Sequence, residues 1–158
     1  MTKETPLNSP KKTVKFNLSN PIQFLALGFG SGLAPKAPGT FGTIAAIPLF
    51  LLLSLLLPLY YAIAVVILTV AGFYICDKAA NDVGVHDHPA IVWDEFVGFF
   101  ITMFLIPISW QSVLVGFLLF RVFDIIKPWP ISWVDKKVSG GIGIMLDDVL
   151  AGLFALAI

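Results

Sequence analysis

Charge is what this sequence has least of. Only 13% of its 158 residues are Asp, Glu, Lys or Arg, while 58% are hydrophobic and the mean hydropathy is +0.91. A soluble domain carries roughly 25% charged residues. Polar surface this sparse cannot cover a water-soluble fold, so the composition points to a membrane protein. Net formal charge is zero, and without a basic field nothing argues for nucleic acid as a partner. Cysteine is nearly absent too. Cys76 stands alone, so no disulfide forms within the chain and nothing calls for an oxidising compartment. The two histidines, His86 and His88, share one loop and are too few for a histidine-built metal centre. The first residues carry Lys3, Lys11, Lys12 and Lys15 against Glu4, with no apolar core of a signal peptide. Residues 1–20 are therefore expected to form a flexible cytoplasmic tail, and residues 21–158 a single membrane domain.

What the chain has in abundance is apolar runs. From Phe41 it is apolar to Leu57, breaks at Pro58 and resumes to Cys76, which reads as two antiparallel helices with a tight turn. One long helix kinked at Pro58 is the rival reading. Further spans are expected over Ile91–Ile108, Trp110–Ile126 and Ile142–Ile158. The fold class is thus all-α: a polytopic bundle of about four to five hydrophobic helices. Each run is a little short of the roughly 20 residues that a span prefers. Ahead of them lies a segment too rich in glycine and proline for regular helix, Gly28 to Thr43, in which Thr40 and Thr43 are candidate helix N-caps.

Numbering sides from the tail puts the polar stretches Asp77–Pro89 and Lys127–Gly141 on the inside. The turns at Pro58 and Pro107–Ser112 fall outside and are uncharged. This satisfies the positive-inside rule, so the N-terminus and any polar site face the cytosol. Asp94 and Glu95 open the third span, Asp124 closes the fourth, and Asp147 and Asp148 lie early in the last. Three acidic spots distant in sequence therefore meet at one depth of the bundle. Ionisable groups at a hydrocarbon boundary are costly and by default functional.

Left bare, these acids would repel one another. Arg121 and Lys127 lie at helical spacing either side of Asp124 and are expected to pair with it. The remaining acids suit a hard divalent cation such as Mg²⁺, which takes oxygen ligands and completes its shell with substrate phosphate. Adjacent acids on a helix point about 100° apart, so one of Asp94/Glu95 and one of Asp147/Asp148 should face the metal, the other serving as base or support. Glycines let backbone N–H groups approach a phosphate, and Lys36 lies among them. The plainer readings are close packing for Gly28-x-x-x-Gly32 and helix capping for the acid pairs. Coincidence of depth favours the site.

Four segments carry a specific likeness: Gly28–Thr43, Ile91–Gly98, Phe120–Ile131 and Gly140–Gly152. In this order and spacing they resemble the phosphatidylglycerophosphatase A family, from about residue 22 to the end. The resemblance implies a Mg²⁺-dependent lipid phosphatase of the bacterial inner membrane. Such an enzyme converts phosphatidylglycerophosphate to phosphatidylglycerol and inorganic phosphate, a phospholipid biosynthetic step. The family's acidic motifs then fall on Asp94, Glu95, Asp124, Asp147 and Asp148, and its basic ones on Lys36, Arg121 and Lys127. Within that set we expect Glu95, Asp124 and Asp148, with Asp94 and Asp147, to serve the metal. Lys36, Gly39, Thr40, Gly42, Arg121 and Lys127 would hold the substrate phosphate, and Asp94, Asp147, Lys36 and Lys127 would take part in the chemistry. The runs Asp-x-x-Asp-Gly-x-x-Ala-Arg and Asp-x-Asp-x-Thr of other phosphoryl-transfer classes are absent. A cation-coupled transporter using the acids as its ion site is the non-hydrolytic alternative.

Overall fold

The computed structural model describes residues 14–158. They form seven α-helices and one 3₁₀ turn, with no strand among the described residues. In chain order these are α1 Pro21–Ala26, the 3₁₀ turn Ser31–Leu33, α2 Pro38–Leu53, α3 Pro58–Val83, α4 Trp93–Thr102, α5 Trp110–Ile126, α6 Ile131–Lys137 and α7 Gly140–Leu156. Of the expected tail, residues 14–20 pack on the domain: Phe16 meets His88 edge-on at 5.1 Å, and Asn20 caps α1. The rest of it lies outside the described residues.

Helix α4 lies inside the bundle, packed against α7, α2, α3 and α5. The third span was expected over Ile91–Ile108, but the helix is only 10 residues long and all of it except Ile101 is buried. Its apolar residues face other helices, with Phe96, Phe99 and Phe100 packed against Phe50, Phe120 and Ala151. Composition cannot separate a helix sheathed in protein from one sheathed in lipid, since both are apolar all round. Two other boundaries differ for local reasons. Helix α3 runs past Cys76 to Val83, because the Lys78–Asp82 pair supports its last turns and Gly84, at φ +70°, stops it in the left-handed conformation. Helix α2 starts at Pro38, whose fixed φ suits a first helical turn. Ala37, and neither threonine, is its N-cap; Thr43 lies inside the helix and donates to the Gly39 carbonyl. The break before Pro58 separates α2 from α3, so the kinked single helix does not occur.

Among the described residues one helix, α3, has the length and hydropathy of a membrane crossing; α2 is apolar but 16 residues long, and α5 and α7 are 17 residues long and carry charged residues. Large apolar side chains are exposed along α2, α3 and α5, among them Leu52, Leu59, Val66, Ile67, Val70 and Leu118.

Candidate active site

The acids converge where α4 and α7 cross. Gly98 and Gly152 lie at that crossing, and a Cβ on Gly152 would collide with the Gly98 carbonyl oxygen and come 3.2 Å from its Cα. Each glycine follows an acid by one helical turn, Asp94 and Asp148 respectively. The same close approach that joins the helices therefore sets those two carboxyls side by side. Gly152→Ala meets backbone that cannot swing away. We expect a loss of roughly 1–3 kcal/mol of stability or more, seen as a lower thermal midpoint in detergent. An unchanged midpoint would mean the helices have room to part.

One carboxylate oxygen from each of Asp94, Glu95 and Asp148 falls within 4.8 Å of the others. The three residues are 7%, 9% and 2% exposed. Asp94 Oδ1, Glu95 Oε2 and Asp148 Oδ2 are buried and accept no hydrogen bond, and Arg121 Nε donates none. Buried polar groups are normally paired, and the cost of an uncompensated buried charge is several kcal/mol. Oxygen donors converging with no protein cation between them fit a hard divalent ion.

Two basic side chains border the cluster. Arg121 pairs with Asp124 one turn on, as the spacing predicts, and its Nη1 lies 3.9 Å from Glu95 Oε1. Lys127 does not pair with Asp124. It caps α5 with φ +47°, which turns its side chain off the helix face. Its ammonium donates to Asp147 Oδ2 and Asp135 Oδ1, each at 2.6 Å. Burial opposes that charge, but the two carboxylates outweigh burial and push the lysine above its ordinary value. Asp147 is thus occupied with Lys127, while its other oxygen accepts from the Asp148 N–H at 3.0 Å.

The glycine-rich segment divides in two. Gly28 and Gly42 pack against Val92, and a Cβ on Gly32 would strike the Ala90 carbonyl, so these three seat the loop on the approach to α4. Gly39 alone faces the charges: a Cβ there would collide with Glu95 Oε1 and lie 3.0 Å from Arg121 Nη1. Thr40 follows it, half-buried in the first turn of α2. Lys36 is exposed at the lip of the loop and forms no ion pair among the described residues.

Sequence reasoning missed three participants. Asp135 shares Lys127. Asp77 accepts from the Gly141 N–H at 3.0 Å, and His86 Nε2 from the Gly140 N–H at 2.8 Å. The latter two cap α7 from other elements and so fix the helix that carries Asp147 and Asp148. The only hint was a helix opening on two glycines behind Ser139, whose side chain makes no cap.

A helical bundle with an apolar exterior, built around a buried carboxylate cluster with basic groups at its edge, is the layout of a membrane-associated enzyme acting on an anionic substrate. The sequence pattern of the family "Phosphatidylglycerophosphatase A" matches residues 24–158. The chain is 51% identical over 153 residues to the phosphatidylglycerophosphatase A of Haemophilus influenzae, covering 96% of this chain and 93% of that one. It is 48% identical over 145 residues to the phosphatidylglycerophosphatase A of Escherichia coli K12, covering 91% and 84%. No solved structure matches it. The chain belongs to the phosphatidylglycerophosphatase A family.

Proposed function

We propose that the protein is a lipid phosphatase that hydrolyses the terminal phosphomonoester of phosphatidylglycerophosphate, giving phosphatidylglycerol and inorganic phosphate for phospholipid biosynthesis. The observation that carries the chemistry is the meeting of Asp94, Glu95 and Asp148, with orphaned oxygens, beside Arg121 and Gly39. Those three acids would hold Mg²⁺, with Asp124 near them through Arg121. Bound there, the ion would neutralise charge on the phosphoryl group and acidify a water.

The protein's own groups do the rest. Arg121, braced by Asp124, presents a guanidinium with a free Nε to the phosphate oxygens. Gly39, lacking a side chain, lets Glu95 and that guanidinium come up against the start of α2, and Thr40 lies on the same rim, where a phosphate would meet both. Lys36 lies on the exposed lip, where it would meet an incoming anion. Lys127, held by Asp147 and Asp135, whose charges offset its own, would donate to the phosphate only by releasing one of them. With Asp147 tied to Lys127, the Asp94 oxygen that does not hold the ion would take a proton from the attacking water.

The apolar exterior supports a multi-pass protein of the bacterial inner membrane. At ~1.5 Å per residue, the 16–17 residues of α2, α5 and α7 reach about 24–26 Å, short of a roughly 30 Å hydrocarbon core. That shortfall suits a site at the head-group level. Lys15, Lys36, Lys78, Lys127, Lys136 and Lys137 all belong to segments at the acidic end, whereas the connections Ser54–Leu57 and Met103–Ser109 carry no charge. The charged end therefore faces the cytosol.

The test is phosphate release by purified protein in detergent from phosphatidylglycerophosphate, phosphatidic acid and a soluble phosphomonoester, with Mg²⁺ or with EDTA. Release is expected from phosphatidylglycerophosphate, with Mg²⁺ only. Full activity in EDTA would overturn the metal role, and inactivity towards every phosphomonoester would overturn the phosphatase.

A further inference from the structure

An apolar groove of about 310 Å³ runs between α2 and α5, lined by Ile44, Ile47, Trp110, Val113, Leu114 and Phe117. These residues follow helical stripes that lead to the site. On α5, Trp110, Val113/Leu114, Phe117 and Arg121 recur at three- and four-residue spacing; on α2, Thr40, Ile44 and Ile47 do the same. The two helices run in opposite directions. Gly39, beside Arg121, pins the start of α2 to the end of α5. At ~1.5 Å per residue, Ile47 and Val113 each lie about 12 Å along their helices from that charged end, and Trp110 about 16 Å. The groove is thus apolar along its length, and its lining stops one helical turn short of Arg121.

We propose that this groove holds an acyl chain of the lipid substrate while the phosphate lies at Arg121 and Gly39. The inference rests on the phosphatase reading and adds to it where the substrate's hydrophobic part goes. A diacyl phosphomonoester has the same layout, an anionic tip on an apolar stem, and a chain already in hydrocarbon would gain from the groove by packing and by aligning the phosphate, not by leaving water. A second apolar cleft, of about 190 Å³, lies among Tyr61, Val65, Leu153 and Leu156. It has no such charged end. It lies towards the opposite end of the bundle, where Tyr61 donates to the Phe100 carbonyl. Of these two clefts, the groove between α2 and α5 is the one whose helical stripes lead to Arg121.

Ile44→Trp and Leu114→Trp fill the groove at positions that are 48% and 47% exposed. Each variant is assayed on a dipalmitoyl substrate in mixed micelles and on the deacylated, water-soluble head group. We expect kcat/KM for the dipalmitoyl substrate to fall by about tenfold or more, the effect of a chain that no longer aligns the phosphate with the site, with the rate on the head group unchanged within error. Equal losses on both substrates, or none on either, would overturn the assignment. A dipalmitoyl analogue with a photoreactive chain end supplies a readout independent of turnover. It should label α2 or α5 at the groove, and labelling confined to α3 or α7 would overturn the proposal. If the wild type hydrolyses neither substrate, the phosphatase reading itself fails, a separate result from loss of chain dependence.

Discussion

Asp148→Asn is expected to lower kcat by roughly 10³-fold or more, about 4 kcal/mol at 1.36 kcal/mol per decade, while the protein folds as well as the wild type or better. Both halves follow from the same geometry. Asp148 is 2% exposed and its Oδ2 has no partner, yet it shares a small volume with Asp94 and Glu95. An uncharged amide of the same shape relieves repulsion among buried carboxylates, so the fold gains or keeps stability. The amide cannot replace a carboxylate as an anionic ligand, so the chemistry is lost. Steady-state rates and a thermal midpoint measured without added cation check the two together. Near-native turnover would remove Asp148 from the site. Loss of folding would make it structural.

Gly39→Ala is expected to cost about 100-fold in kcat/KM, the effect of an ångström-scale displacement of a reacting group. The new methyl would collide with Glu95 Oε1 and crowd Arg121. Both are the ends of flexible side chains, so they can move aside. The fold therefore survives and the site's geometry does not. Gly42→Ala is the control, because its methyl meets only Val92; it should lower stability without a specific effect on phosphate release. If Gly39→Ala keeps full activity, the loop is packing alone and the phosphate lies elsewhere.

Much of this site was legible in the sequence because charge is costly in an apolar chain. Few carboxylates were available, and all that lay at helix ends of one sidedness had to be explained together. Local pairings were also legible: Arg121 meets Asp124 because one helical turn separates them. Helix α5 spans Trp110–Ile126 as expected, since Ser109 and Ser112 form a capping box at one end and Pro128 follows the other. Anything decided by long-range geometry was hidden. Lys127 turns away from Asp124 because it leaves the helix in a left-handed conformation. Asp77 caps α7 from 64 residues away. The four glycines at 28, 32, 39 and 42 look alike in sequence, and only their neighbours separate three packing positions from the one beside the charges. The burial of α4 was hidden for a related reason, because its apolar residues suit a protein interior as well as lipid.

The proposed phosphatase chemistry needs a cation that Asp94, Glu95 and Asp148 would hold. The most direct measurement is Mn²⁺ binding to the purified protein in detergent, followed by loss of the free-ion electron paramagnetic resonance signal, for the wild type and for Asp148→Asn. Saturable binding by the wild type that Mg²⁺ displaces and Asp148→Asn abolishes is the predicted result. Equal binding by both proteins, or none by an active wild type, would contradict it.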